Sequence, residues 1–178
     1  LPKDSVIVYT SSQENSEPFD RAWNENFGVE VIRDRSKILL PTVRVSGRVQ
    51  SIVKAREIAT VFFGAAAPLG LLARGARRAG AKNIVAITHG HEVWWSKLWP
   101  FSWAMKHIGE NVDSLTYLGG YTGKAISKAL SKSSQSKLVR LAPGIDTDHF
   151  SPGKKNPGIR RDLGLEGKKV IVSVGRLV

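Results

Sequence analysis

Short apolar runs rich in Val and Ile recur along the chain, at residues 6–9, 29–33, 59–63, 84–88, 114–118, 138–141 and 169–174. Most are apolar on both faces rather than alternating, which predicts strands of a parallel sheet covered on each side. Between them, residues 43–56, 68–79, 98–109 and 121–131 space their apolar positions as helices do. Regular alternation of strand and helix predicts an α/β fold with a doubly wound parallel sheet. Residues 146–167 are rich in Pro, Gly and Lys and break this rhythm. They read as a linker with one short helix near 156–163, after which the run at 169–174 predicts the opening strand of a second domain. The expected organisation is therefore one domain over 1–145, a linker over 146–167, and the start of another domain over 168–178.

Composition narrows the class without choosing it. The 178 residues, 42% hydrophobic and 24% charged, suit one well-buried soluble domain. No run approaches the roughly 18 apolar residues of a membrane span. Cysteine is absent, which excludes disulfide scaffolds and thiolate metal sites and points to a cytosolic chain. The formal charge is +12, and residues 61–178 carry 18 basic against 7 acidic side chains. Such a field draws nucleic acid, anionic lipid or phosphorylated small molecules.

In doubly wound sheets, ligands meet the carboxyl ends of the strands, so the residues following each apolar run are the candidates. Gly64 and Ala65 open a small-residue turn that lets a helix N-terminus approach an anion or lets helix and sheet pack tightly. Its pattern is not the dinucleotide fingerprint, and no NAD site is inferred. His89, Gly90, His91 and Glu92 follow the next run. An imidazole there can exchange hydrogen bonds with a substrate near neutral pH, or serve as a structural histidine. A metal reading of this string lacks support, because the other histidines are His107 and His149 and no acidic cluster lies nearby. Trp94, Trp95, Trp99 and Trp103, interleaved with Lys97 and Lys106, suit a membrane interface, an acyl chain, a sugar face or plain core packing. Two stretches without acidic residues carry Arg44 and Arg48, and Arg74, Arg77 and Arg78. They predict basic amphipathic helices suited to an anionic membrane surface or to bulk solvent.

At Pro143-Gly144-Ile145-Asp146 followed by His149-Phe150-Ser151-Pro152 the sequence resembles the inter-domain signature of retaining two-domain glycosyltransferases of the GT-B type, family four. The closing Gly175-Arg176-Leu177-Val178 is similar to the opening of that group's donor domain, and Thr88-His89-Gly90-His91-Glu92 to its acceptor-domain histidine motif. The turn at 63–69, the string at 88–93 and Leu115-Thr116-Tyr117 are similar to the GDP-mannose-dependent phosphatidylinositol monomannoside mannosyltransferases. The resemblance implies a Rossmann-like acceptor domain, with His89 contacting the transferred sugar and Arg176 neutralising the donor diphosphate. It implies Gly64, Ala65, Gly90, His91, Glu92 and Tyr117 as acceptor or cleft-lining positions. It also implies a nucleotide-sugar donor (GDP-mannose or another), an anionic glycolipid acceptor, and no separate cofactor or metal. The expected place is cytoplasmic, peripheral on the inner face of the cell membrane, without nucleic acid. A first strand and its Gly-Gly loop are expected ahead of Leu1, and a lysine and a Glu-x7-Glu motif after Val178. The 178 residues alone are accordingly expected not to turn over. The rival readings are another retaining transferase with a soluble acceptor, and a non-catalytic basic module binding lipid or RNA.

Overall fold

The computed structural model describes residues 2–151, 153 and 157–173. They fall into two compact units, Leu1–Pro143 and Gly144–Val178.

In the first unit, β1 (Val6–Thr10), α1 (Glu17–Phe27), β2 (Val29–Arg33), α2 (Val43–Ala55) and β3 (Thr60–Phe63) come first. A 3₁₀ turn at Leu69–Leu72 leads into α3 (Ala73–Arg78) and β4 (Asn83–Ile87). Then follow α4 (Glu92–Trp95), α5 (Phe101–Asn111), β5 (Ser114–Tyr117), α6 (Gly120–Ser127), α7 (Lys132–Gln135) and β6 (Leu138–Arg140). Every strand pair is parallel, as two-sided apolar runs require. In β4, Ile84 and Ala86 are fully buried on one face while Val85 and Ile87 are partly covered on the other. The core gathers Ile84 and Ala86 with Val45, Phe63, Met105, Ile108, Leu115 and Ile126.

The strands do not make one continuous sheet. β1 and β2 form a pair, and β3, β4, β5 and β6 form a four-stranded sheet in that order. Between the two lies an apolar slot of about 630 Å³ floored by Val45, Val49, Ile52 and Val53 of α2. Its walls include consecutive residues, Val6 and Ile7 on one side and Thr60 to Phe63 on the other. A sheet face would contribute every second residue, so the walls are strand edges with their backbone groups turned toward the slot.

Two sequence expectations change here. The helix at 43–56 forms almost as expected, with the Thr42 hydroxyl accepting the Val45 N–H at its start. The helix expected over 68–79 instead splits into the 3₁₀ turn and α3. The strand expected at 169–174 does not form among its described residues, which are exposed, with Ile171 97% accessible. A strand exists only through hydrogen bonds to a neighbour, and among the described residues of the second unit none pairs with it. What that unit does form is α8 (Pro157–Asp162) and a turn in which the Asp146 carboxylate accepts the N–H groups of Asp148 and His149.

Candidate active site

The carboxyl ends of β3, β4 and β5 converge on a short loop, His89 to His91, and the sequence explains how it is held. Just ahead of it, the buried Thr88 hydroxyl donates to the Thr116 carbonyl at 2.7 Å, which ties the end of β4 to β5. The chain then turns through Gly90 at φ +98°, a conformation an L side chain resists. Glu92, at the start of α4, is fully buried. Its Oε2 accepts the backbone N–H groups of His89 at 2.9 Å and Gly90 at 3.0 Å. A carboxylate taking two N–H donors in this way closes the loop as a capping side chain closes a helix start.

His89 itself is exposed at the strand end. Its Nε2–H donates to the Gly64 carbonyl, 2.5 Å away on the turn after β3. That bond places the proton on Nε2 and leaves Nδ1 as the ring nitrogen that can accept. The His91 ring lies parallel to it with centroids 6.5 Å apart, and His91 Nε2 is 3.4 Å from Glu92 Oε1. Glu92 Oε1 is buried without a hydrogen bond.

The sequence candidates therefore separate. Gly64, His89, Gly90 and His91 stand together at one edge of the sheet. Glu92 belongs to the same cluster but lines no open cleft, because its carboxylate is spent inward on the loop. Ala65 is half-buried in the turn beside Gly64, where the next N–H, of Ala66, donates to the Ile87 carbonyl. Tyr117 ends β5, and its ring lies so close to α6 that a Cβ on Gly123 would sit 2.7 Å from it. Among the described residues, no three His, Cys, Asp or Glu side chains group as metal ligands. Arg176 lies outside the described residues.

The basic candidates divide as well. Arg44 makes a bidentate pair with the buried Asp34, at 2.7 and 2.9 Å, and Arg77 pairs with Asp113 at 2.7 Å. Their charge is largely committed within the chain. Arg48, Arg74 and Arg78 are exposed, and among the described residues their side chains make no hydrogen bond or ion pair. No helix among those residues is long and apolar enough to cross a membrane.

Sequence reasoning passed over the cluster around Asp34, which closes the carboxyl ends of β1 and β2. Tyr9 donates its hydroxyl to Asp34, whose other oxygen accepts the Ser36 N–H. Burial, then the Asp34 hydrogen bond and charge, push the Tyr9 phenol up to about 12. The Arg44 guanidinium, followed by Tyr9 and the Ser36 N–H, holds the Asp34 carboxyl far below the usual range. An Asp directly after an apolar run, ten residues before an Arg, was the available signal.

No protein-family model matches the chain. By sequence it is 39% identical over 174 residues to the GDP-mannose-dependent alpha-(1-6)-phosphatidylinositol monomannoside mannosyltransferase of Mycolicibacterium smegmatis, covering 97% of this chain and 45% of that protein. It is 36% identical over 178 residues to the GDP-mannose-dependent monoacylated alpha-(1-6)-phosphatidylinositol monomannoside mannosyltransferase of Corynebacterium glutamicum, covering 98% and 46%. The Mycobacterium tuberculosis enzyme with the same description as the first is also 36% identical. In fold, the chain matches the crystal structure of Anabaena Alr3699/HepE in complex with UDP and glucose, with a TM-score of 0.53 and 12% identity over 89% of this chain and 50% of that one. The motif resemblance thus extends to a similarity over nearly the whole chain with GDP-mannose-dependent phosphatidylinositol monomannoside mannosyltransferases, of which the chain spans a little under half the length.

Proposed function

We propose that the full-length protein transfers mannose from GDP-mannose to a phosphatidylinositol mannoside with retention of configuration, and that this chain supplies the acceptor-side domain. The observation that carries the reading is His89. It stands exposed at the carboxyl edge of a parallel sheet, held in one tautomer by Gly64 and in one backbone position by Glu92. The chain as a whole is 39% and 36% identical to two relatives named for this reaction.

In this reading His89 Nδ1 meets a hydroxyl of the sugar being transferred and fixes its approach, while Arg176 neutralises the departing diphosphate. Preorganised groups of this kind stabilise charge as it develops, without having to reorganise at the moment of reaction. Same-face attack fits better than a two-carboxylate route, since the Glu92 carboxylate is buried and turned onto the His89 and Gly90 N–H groups. Arg48, Arg74 and Arg78 remain free to meet lipid phosphates, so the protein works peripherally on an anionic membrane at its cytoplasmic face. The slot between β1 and β3 would take the additional parallel strand expected ahead of Leu1, which would join the two sheets.

The test is incubation of the full-length protein with radiolabelled GDP-mannose and a phosphatidylinositol monomannoside. Label should enter the lipid phase. Transfer from UDP-glucose to a soluble sugar, with none to the lipid, would overturn the assignment.

A further inference from the structure

We propose that the corner joining α4 to α5 is an interfacial anchor that seats its rings among the headgroups of an anionic lipid bilayer. The inference rests on the lipid-linked acceptor of the proposed function for its purpose, but its evidence is separate.

Four neighbouring tryptophans divide into two kinds. Trp95 turns inward, its ring centroid 4.8 Å from that of Phe101, and packs against the core. Trp94, Trp99 and Trp103 turn outward and are 68%, 83% and 60% exposed, with Leu98 between them at 53%. Large apolar side chains left exposed this close together in the sequence mark a surface that is covered in use. The ring type indicates what covers it. An indole has an apolar body and one N–H donor, which suits the boundary between acyl chains and headgroups better than a dry protein core.

Charge points the same way. No Asp or Glu lies between Val93 and Gly109, while Lys97 and Lys106 do. The Lys97 ammonium stands 5.4 Å from the centre of the Trp94 ring. A cation held beside an indole in this manner meets anionic headgroups while the ring enters the layer. The placement also serves the chemistry. The α4 helix begins at Glu92, whose carboxylate holds the His89 loop. The proposed anchor therefore begins on the same short helix whose first residue holds the His89 loop.

The experiment uses the full-length protein, without sugar donor, and vesicles of equal parts phosphatidylglycerol and phosphatidylcholine containing brominated lipid. Co-sedimentation and bromine quenching of tryptophan emission are measured for the wild type, for Trp94→Ser/Trp99→Ser/Trp103→Ser, and for Trp23→Ser on α1 as control. The triple variant should partition about tenfold more weakly and lose its quenching, with the control unchanged. If the triple variant misfolds, Trp99→Ser alone should weaken partition about threefold. Unchanged partition and quenching would overturn the anchor. So would a wild-type dimer that the variant dissolves without loss of vesicle binding, which would assign the corner to a second copy of the chain. Because no donor is present, failure of mannose transfer leaves this outcome untouched, and intact transfer with unaltered vesicle binding defeats the anchor alone.

Discussion

Glu92 and His89 are joined through the backbone: the buried carboxylate of one accepts the N–H of the other at 2.9 Å. A side chain three residues downstream thus sets where the imidazole stands, although it never faces the cleft. Replacing Glu92 with Ala leaves the His89 and Gly90 N–H groups without their acceptor, at a cost of about 1–3 kcal/mol. Glu92→Gln keeps an acceptor oxygen and should recover most of that loss. Urea denaturation of the three proteins checks both values, and equal stability of wild type and Glu92→Ala would contradict the role.

Gly90 provides the turn that this arrangement needs. At φ +98° an added Cβ is strained, so Gly90→Ala should destabilise by about 1 kcal/mol or more. It should also disturb the His89 environment, visible as a shift of the imidazole proton resonances. A neutral substitution with unmoved resonances would argue against the loop geometry.

The Asp34 cluster makes stability depend on pH at both ends. Asp34 is depressed in the folded chain, so its contribution is present above the ordinary carboxylate value of about 4 and is lost as pH falls below it. The stability gap between wild type and Asp34→Asn should therefore shrink from pH 6 to pH 3. Tyr9 is raised to about 12, so its contribution is present below the ordinary phenol value and fades as pH climbs from about 10 toward it. Ultraviolet titration should show a late phenol near 12 that Tyr9→Phe removes. A gap independent of pH, or no late phenol, would count against the network.

The two sheets predict uneven protection. β4 and β5 are paired on both sides, while β1 and β3 each turn one edge to the slot. In the 178 residues by themselves, slot-facing amides of β1 and β3 should exchange markedly faster than amides of β4 and β5. Uniform protection across all four strands would show that the slot is not open in solution.

The parts of this fold that were legible in the sequence share a cause. Runs such as residues 84–88 are apolar on both faces, and burial from both sides leaves that mark whatever the distant contacts are. The run at 169–174 bears the same mark but forms no strand among its described residues, because pairing needs a partner that local pattern cannot supply. The opposite error occurred at α1. Phe19, Trp23 and Phe27 recur every four residues and pack as tilted rings with centroids 5.4 and 5.5 Å apart, yet all three are exposed. Its signals were local, with Pro18 near the start and Gly28 at the end, in a stretch too polar to suggest burial. At the site, the position of His89 at a strand end was readable. The inward turn of Glu92 was not, since a carboxylate beside two histidines looks the same in sequence whether it faces solvent or backbone. Likewise Arg44 reads as a surface cation until the fold brings it to Asp34.

The central claim is that the imidazole of His89 acts on the sugar during transfer rather than merely supporting the sheet. Mannosyl transfer by the full-length protein, compared between wild type and His89→Ala with GDP affinity measured in parallel, tests it most directly. The account predicts that kcat falls about 100-fold while GDP binds as before. A variant that transfers mannose at close to the wild-type rate would contradict it.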